Sequence, residues 1–439
     1  MIGAGIGGLT ASIALARAGY EVVVVERDDT PMPADVEGAF AWDRRGAPQV
    51  HHTHGFPALI RVTLRDHFPD VLAELLAAGV REVSVLPPSV TPDVPDYERH
   101  KEDLQVLATR RTTLEWVLRR CALDERGVEF VVGRAVDGLV VRDGAAGGIR
   151  LDDGSVIEGD VVVAASGRRC AAPKWFAEYG LALREEEHPT GTIYLSRFYR
   201  GGADAPMGYV GGRRAGLGFV VAGADNGTYS ATLAVPADDA ELRTHLLDED
   251  HFEAVLPLFK EMRPVVERQG TPLTPVQTMG GLINRIRRYR NDDGTTLLPG
   301  FFAIGDSHTC TNPLYGRGSS LAVLQAVLLR DALTGGEDYE AASAKRVEPW
   351  YDMSLLTDKP EAANLSGFDL QAMRRATASD DPEVAVLMTR MMSLLVTPTE
   401  LFGDPALVER LQAAGEPKPK PPPAKLLTRD DFLAAGRPG

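Results

Sequence analysis

The chain has 439 residues, 44% hydrophobic and 25% charged, ordinary values for a globular protein with room for a large core. Lys plus Arg number 47 against 62 Asp plus Glu, giving a formal charge of -15. An acidic surface of that size repels phosphate polyanions, so nucleic acid is not expected as a partner.

Three widely spaced cysteines (Cys121, Cys170 and Cys310) do not make a disulfide framework or a cysteine-type zinc site. No stretch reaches the roughly 18 uninterrupted apolar residues of a spanning helix. Met1 to Ala16 contains four glycines and no basic flank, so a signal peptide is not expected either. The reading is a cytoplasmic protein without a membrane span.

The opening Met1-Ile2-Gly3-Ala4-Gly5-Ile6-Gly7-Gly8 leads into a helical run through Arg17, and Val22 to Glu26 then reads as a buried parallel strand. Only Met1 and Ile2 precede the glycine turn, where about five strand residues would be normal. Either the numbered chain starts late or its first strand is clipped. Phe56 to Val80 shows helical apolar spacing divided by Pro69, which predicts two consecutive helices. The proline-bearing stretch 82–100 reads as loop, Arg110 to Arg120 as an amphipathic helix, and Val128 to Val132 as a strand. From Val136 to Val163 short strands are expected, with hairpin turns at Asp143-Gly144, Gly147-Gly148 and Asp153-Gly154.

Residues 189–235 predict a separate antiparallel sheet, and 238–269 predict helices. Phe301 to Ile304 is a short buried strand entering Gly305-Asp306, and the pattern after Gly316 is helical to Leu333. The remainder to about Ala414 reads as helical, followed by an extended polyproline linker over Glu416 to Lys425.

Gly3-x-Gly5-x-x-Gly8 has the spacing a dinucleotide needs. The first glycine permits a tight turn, the second lets backbone approach a pyrophosphate, and the third lets helix and strand pack closely. Ala4 and Ile6 lie within the same turn, whose helix aims its positive end at the phosphates. Glu26, beside Arg27, closes the second strand where a carboxylate can bind ribose hydroxyls. This motif alone does not separate NAD from FAD.

Ile304-Gly305-Asp306-Ser307-His308, followed by Asn312-Pro313-Leu314-Tyr315-Gly316-Arg317-Gly318, makes that separation. Here the chain resembles the FAD-dependent monooxygenases of the aromatic-hydroxylase (p-hydroxybenzoate hydroxylase-like) superfamily. The resemblance implies an α/β fold with a Rossmann-like FAD-binding domain of the glutathione-reductase type. An antiparallel-sheet substrate domain is interleaved with it, and a helical C-terminal region follows. It divides the chain into FAD-binding segments at 1–80, 110–185 and 291–335. A substrate-lobe excursion takes 81–109, the sheet domain 186–290, the helical region 336–414 and a Pro-rich tail 415–439.

The resemblance assigns Gly305 and Asp306 to the ribityl chain, and Pro313, Gly316, Gly318 and Ser319 to the flavin ring. Ser166-Gly167, after Asp160 to Ala165, is similar to the strand end that passes close to the cofactor. Arg111 is implied at the FAD phosphates, with Arg110 the competing residue, and Val136 at the adenine. Arg44-Arg45-Gly46-Ala47-Pro48-Gln49-Val50-His51-His52-Thr53-His54 resembles a run in bacterial alkene epoxidases and adds Arg45 to the FAD contacts.

His52, His54 and His308 are the catalytic candidates. No metal is expected, because the histidines lack helical ligand spacing and an accompanying carboxylate. Cys310 reads as a buried thiol, and the basic run Arg285 to Arg290 as a solvated strand face or an anion or reductase contact.

The implied activity is insertion of one oxygen atom from O2 into an apolar or aromatic small molecule. It proceeds by hydroxylation or epoxidation through a flavin C4a-hydroperoxide. A reductase or dehydrogenase of the same fold is the nearest alternative. A flavin halogenase is disfavoured because Trp42, Trp116, Trp175 and Trp350 are isolated, and a non-catalytic flavin-binding protein is the last reading. No second glycine unit houses a nicotinamide. Ser166 also stands where the superfamily often has an aspartate that handles NADPH. Electrons are therefore expected from transient NAD(P)H docking or, preferably, from a separate flavin reductase.

Overall fold

A computed structural model describes residues 1–201, 209–263, 270–359, 363, 369–413 and 426–436. The expected polyproline linker falls outside the described residues.

The central layer is a parallel sheet. Phe301–Ala303 pairs with Val162–Ala164, Ile2 bridges Ala164 and Val25, and Val22–Glu26 pairs with Val128–Val132. Ile2 is a single rung between two longer strands and is a member of the sheet. The chain thus leaves Ile2 on one side and Ala164 on the other in different directions along the sheet. At such a reversal, α/β sheets bind ligands in the crevice outside the strands' carboxyl ends.

On one face the helices Ile6–Arg17, Ala58–His67, Pro69–Ala77, Arg111–Asp124 and Arg317–Leu333 bury Leu9, Ile13, Ile60, Leu75, Leu114 and Val323 against Val24 and Val163. Small residues allow the closest approach. A Cβ on Gly7 would stand 3.3 Å from that of Ala322. The other face is covered by the antiparallel ribbon Val136–Arg142, Ala145–Leu151 and Val156–Glu158, with Trp175, Phe176 and Tyr289.

The second lobe is an antiparallel sheet built on Thr192–Arg200, Tyr209–Arg214, Leu217–Gly223 and Thr228–Pro236. Alternation sends Leu195, Tyr199, Ala231 and Leu233 to one face, against helices Ala240–Leu246 and Glu249–Val255. Tyr194, Ser196, Phe198, Ser230 and Thr232 occupy the opposite face. C-terminal helices bury Trp350, Val384, Met391 and Phe402 against Leu59, Leu321 and Leu324.

Three expectations are corrected. Gly147-Gly148 lies inside the strand Ala145–Leu151, not in a turn. Gly148 has φ +145, and a Cβ there would lie 2.3 Å from the Ile157 carbonyl, so glycine serves close strand approach. The stretch 82–100 is not all loop, because Arg81–Ser84 pairs with Gln105–Ala108 and Tyr97–Asp103 is helical. The basic run is not a fully solvated face. Arg285 and Arg287 are buried and face Glu187 and Glu185 across the strand Arg184–Pro189.

Candidate cofactor and active site

Three strand ends meet at the crevice. After Ile2, Gly3 turns the chain at φ +100, where a Cβ would strike the Ala165 carbonyl oxygen at 2.7 Å. A Cβ on Gly8 would sit 2.0 Å from the Gly3 oxygen, whereas Gly5 opens onto free space. The helix starting at Ile6 has neither a side-chain cap nor an acid in its first turn, which leaves its leading N–H groups for a phosphate.

Glu26 ties the second strand to this turn. Its Oε2 accepts from the Ala4 N–H and its Oε1 from the Asp28 N–H, both at 2.9 Å. Arg27 is exposed.

Arg44 enters this region, while Arg45 is exposed beside Asp43. The Arg44 guanidinium is buried over the Trp42 ring, 2.9 Å from Glu115, 3.6 Å from Asp28 and 3.8 Å from Glu26. Burial pushes the Asp28 carboxyl upward, but bonds from Thr30 and the Arg44 charge outweigh it and hold it below its usual range.

Arg111 and Arg110 divide as alternatives. Arg111 donates from Nε to Glu115 at 2.7 Å and from Nη1 to His54 Nε2 at 3.4 Å, inside the crevice. Arg110 is committed to Asp225 of the second lobe, with its N–H at 2.7 Å and its Nε at 2.8 Å. Val136 opens its strand opposite Leu151, packed at the edge of the apolar core.

Gly167 has φ +74 with free space beside it, and its N–H bonds Ser307 Oγ at 3.0 Å. That contact brings Ser166-Gly167 against the turn Gly305–Ser307. The Gly305 N–H bonds Gln325 at 2.8 Å, while Arg285 and Arg287 hold the Asp306 and Ser307 carbonyls. Burial pushes the Asp306 carboxyl upward against the pull of Arg111, Arg285 and Arg168. The Cys310 thiol donates to the Ile283 carbonyl at 3.6 Å and is driven far up by burial, so it stays protonated.

Beyond it, Pro313–Tyr315 turns into Gly316 at φ +63, where a Cβ would meet the Gly55 carbonyl oxygen at 2.7 Å. The ring loop therefore lies against the end of the histidine run. Its helix, Arg317–Leu333, again begins without a side-chain cap or acid, with Gly318 and Ser319 in the first turn.

The histidines separate by role. His52 is buried with Nδ1 3.0 Å from Ser196 Oγ, at the head of a hydroxyl chain through Thr232 (2.6 Å), Thr53 (2.7 Å) and Ser230 (2.8 Å). Burial and His51 lower its pKa to about 4. His54 donates from Nδ1 to the His52 carbonyl, which leaves Nε2 as the acceptor for Arg111. Burial and the Arg111 charge lower it to about 3. His308 is buried between Tyr289 and Tyr339, with Nδ1 2.7 Å from Thr309 Oγ1 and Nε2 3.3 Å from Glu340.

Arg44, Glu115, Asn312, Asn284 and Asp358 escaped sequence reasoning. For Arg44 the signal was the aromatic Trp42 two residues earlier. Asn312 gave none beyond its place before Pro313. Of the second lobe's aromatics, Tyr194 and Tyr209 reach Asn312 and the Leu314 carbonyl, and Phe198 meets Phe40 edge-on. Phe219 instead packs away from the crevice on Phe259.

FAD fits this arrangement. Two helices start here without a side-chain cap or an acid, Gly5 and Gly167 leave open space beside them, and the buried Asp306 carboxylate lies 3.6 Å from where a Gly318 Cβ would stand. Residues 1–75 match the family described as an NAD(P)-binding Rossmann-like domain. Protein Rv3254 of Mycobacterium tuberculosis is 25% identical over 403 residues, 82% of this chain and 79% of that protein.

PqsL of Pseudomonas aeruginosa, a probable FAD-dependent monooxygenase, superposes with TM-score 0.56 at 17% identity, covering 94% of this chain and 98% of its own. The flavin-dependent brominase Bmp2 gives TM-score 0.62 at 15% identity, covering 94% and 97%. The chain shares the fold of these two flavoprotein structures, with a Rossmann-like domain and a helical C-terminal region. Among the described residues no helix is long and apolar enough to cross a membrane.

Proposed function

We propose that this chain is an FAD-dependent monooxygenase acting on an apolar or aromatic small molecule. The observation that carries the reading is the convergence of three strand ends, at Gly3, Ser166 and Gly305, on one crevice. Bound FAD supplies the chemistry that activates O2; the chain positions and shields.

The glycine turn and the start of its helix hold the pyrophosphate, with Arg111 beside it. Glu26 presents a carboxylate to the ribose, and Arg44 neutralises the acids around it. Asp306 accepts from ribityl hydroxyls. The first N–H groups of helix Arg317–Leu333 stabilise negative charge on the ring.

The inner face of the second sheet offers Tyr194 and Phe198 to the substrate, an amphipathic surface suited to a mostly apolar ligand. The neutral His52 and His54 carry no charge that an apolar substrate would have to desolvate. Ser166 offers no carboxylate for a nicotinamide, which supports electron delivery by a separate reductase.

Purified protein should be yellow, or become so with added FAD, and should consume O2 when reductant and substrate are present. Protein that stays colourless with FAD refutes the proposal. Incorporation of label from 18O2 distinguishes oxygenation from double-bond reduction. Rapid NADH or NADPH oxidation by the chain alone would remove the separate reductase.

A further inference from the structure

Immediately before the ring loop stands Asn312, which is 1% exposed and hydrogen-bonded through its side-chain oxygen, side-chain nitrogen and backbone N–H. Its Oδ1 accepts from the Leu314 N–H at 2.9 Å and from the Tyr194 hydroxyl at 2.5 Å. Its Nδ2 donates to Asp358 Oδ2 at 2.8 Å, and its N–H donates to Asn284 Oδ1 at 2.7 Å. Asn284, fully buried, donates to the same Asp358 oxygen at 2.9 Å.

The orientation of the Asn312 amide follows from its partners. Two donors demand the oxygen on one side, and a carboxylate demands the NH2 on the other. Each partner belongs to a different unit. Tyr194 lies on the inner face of the substrate sheet, Asn284 on the strand Ile283–Arg288, and Asp358 at the end of the C-terminal helix Glu348–Asp358. Leu314 is in the ring loop itself.

We infer that Asn312 is the positioning residue that fixes the Pro313–Gly316 loop for the flavin ring by locking it to the substrate sheet and the C-terminal helices. The inference rests on the proposed FAD site. It adds that the ring end of that site is built by residues outside the Rossmann-like domain, whereas the adenosine end is built within it. The reasoning is energetic. A buried amide held by three side-chain hydrogen bonds cannot rotate or shift without stranding a buried partner, so the loop that follows inherits its rigidity. Arg317 reinforces the same attachment, donating to the Trp350 carbonyl at 3.2 Å and Ser354 Oγ at 2.7 Å.

The test compares two probes on the full-length protein, FAD and ADP, because ADP occupies only the adenosine end. In Asn312→Ala, FAD affinity should fall about tenfold or more, the equivalent of losing one or two net hydrogen bonds, while ADP affinity stays within about twofold.

A second variant reads a signature that general loosening does not give. Asn312→Asp sets a carboxylate against Asp358, with Tyr194, Tyr209, Tyr315 and Arg317 the other ionisable groups around them. Two carboxylates at that distance cannot both ionise readily. FAD affinity of Asn312→Asp should therefore weaken as pH rises from 5 to 8, and adding Asp358→Asn should abolish that dependence.

Equal loss of FAD and ADP binding, FAD affinity unchanged in Asn312→Ala, or a flat pH profile in Asn312→Asp would overturn the inference. If the wild-type protein binds ADP but not FAD, the proposed function fails instead.

Discussion

Asp225→Ala removes the carboxylate that pairs with a buried arginine at the junction of the two lobes. Asp225 is fully buried and accepts from the Arg110 N–H and Nε, from Thr109 Oγ1 at 3.2 Å and from Asn226 Nδ2 at 3.0 Å. The Arg110 side chain is 1% exposed, with the Phe40 ring 5.1 Å away as its other neighbour of note.

At about 2.8 Å and an effective dielectric constant of about 20, the gross attraction is about 6 kcal/mol. Desolvation of both ions offsets much of it, so the pair's net worth is small while the cost of breaking it is not. Removing one partner strands the other, at about 3–5 kcal/mol. That is a large part of a typical total stability of about 5–15 kcal/mol.

The assay is urea unfolding followed by fluorescence and circular dichroism, with Asp225→Ala, Arg110→Met and the double variant side by side. The double variant should be more stable than Asp225→Ala alone, because no uncompensated charge remains. Additive losses, or an Asp225→Ala cost below about 1 kcal/mol, would refute the reasoning.

Three other outcomes follow from the geometry. Gly8→Ala drives a Cβ into the Gly3 carbonyl and should reduce FAD retention about tenfold or more, read as the ratio of flavin to protein absorbance. His52 and His54 have folded pKa values of about 4 and about 3, below the value near 6.5 in an unfolded chain. The unfolded state therefore binds more protons below about pH 6.5, and stability should fall as pH drops towards 4, by up to about 1.4 kcal/mol per pH unit for each histidine. Denaturation midpoints of His54→Asn across that window should show a shallower fall, and an unchanged slope would exclude His54 as a contributor. His308→Ala should lower stability by about 1–3 kcal/mol through a cavity and an unpaired Glu340, with FAD affinity unchanged. Lost turnover at unchanged stability would instead put His308 beside the substrate.

Much of this fold was legible because its signals are local. Four valines, a glycine turn of fixed spacing and the run from Gly316 to Leu333 each carry their periodicity or backbone demand in adjacent residues. The two helices split at Pro69 were readable for the same reason. What failed depended on partners distant in sequence.

Arg285 and Arg287 look like a surface strip until the Glu185–Glu187 strand is laid beside them. Gly147-Gly148 looks like a turn until Ile157 closes over it. Arg44 and Arg45 are indistinguishable as letters, and the difference is made by Glu26, Asp28 and Glu115 arriving from two other elements. Asn312 is ordinary in sequence because its four partners come from four separate segments.

The contact of Gly316 with the Gly55 carbonyl has a practical consequence for engineering. Each loop is the other's steric boundary, so neither can be lengthened or exchanged alone without pushing its counterpart out of place. Chimaeras with flavoproteins of this architecture should transplant both segments as one cassette, and libraries diversifying either should keep both glycines fixed.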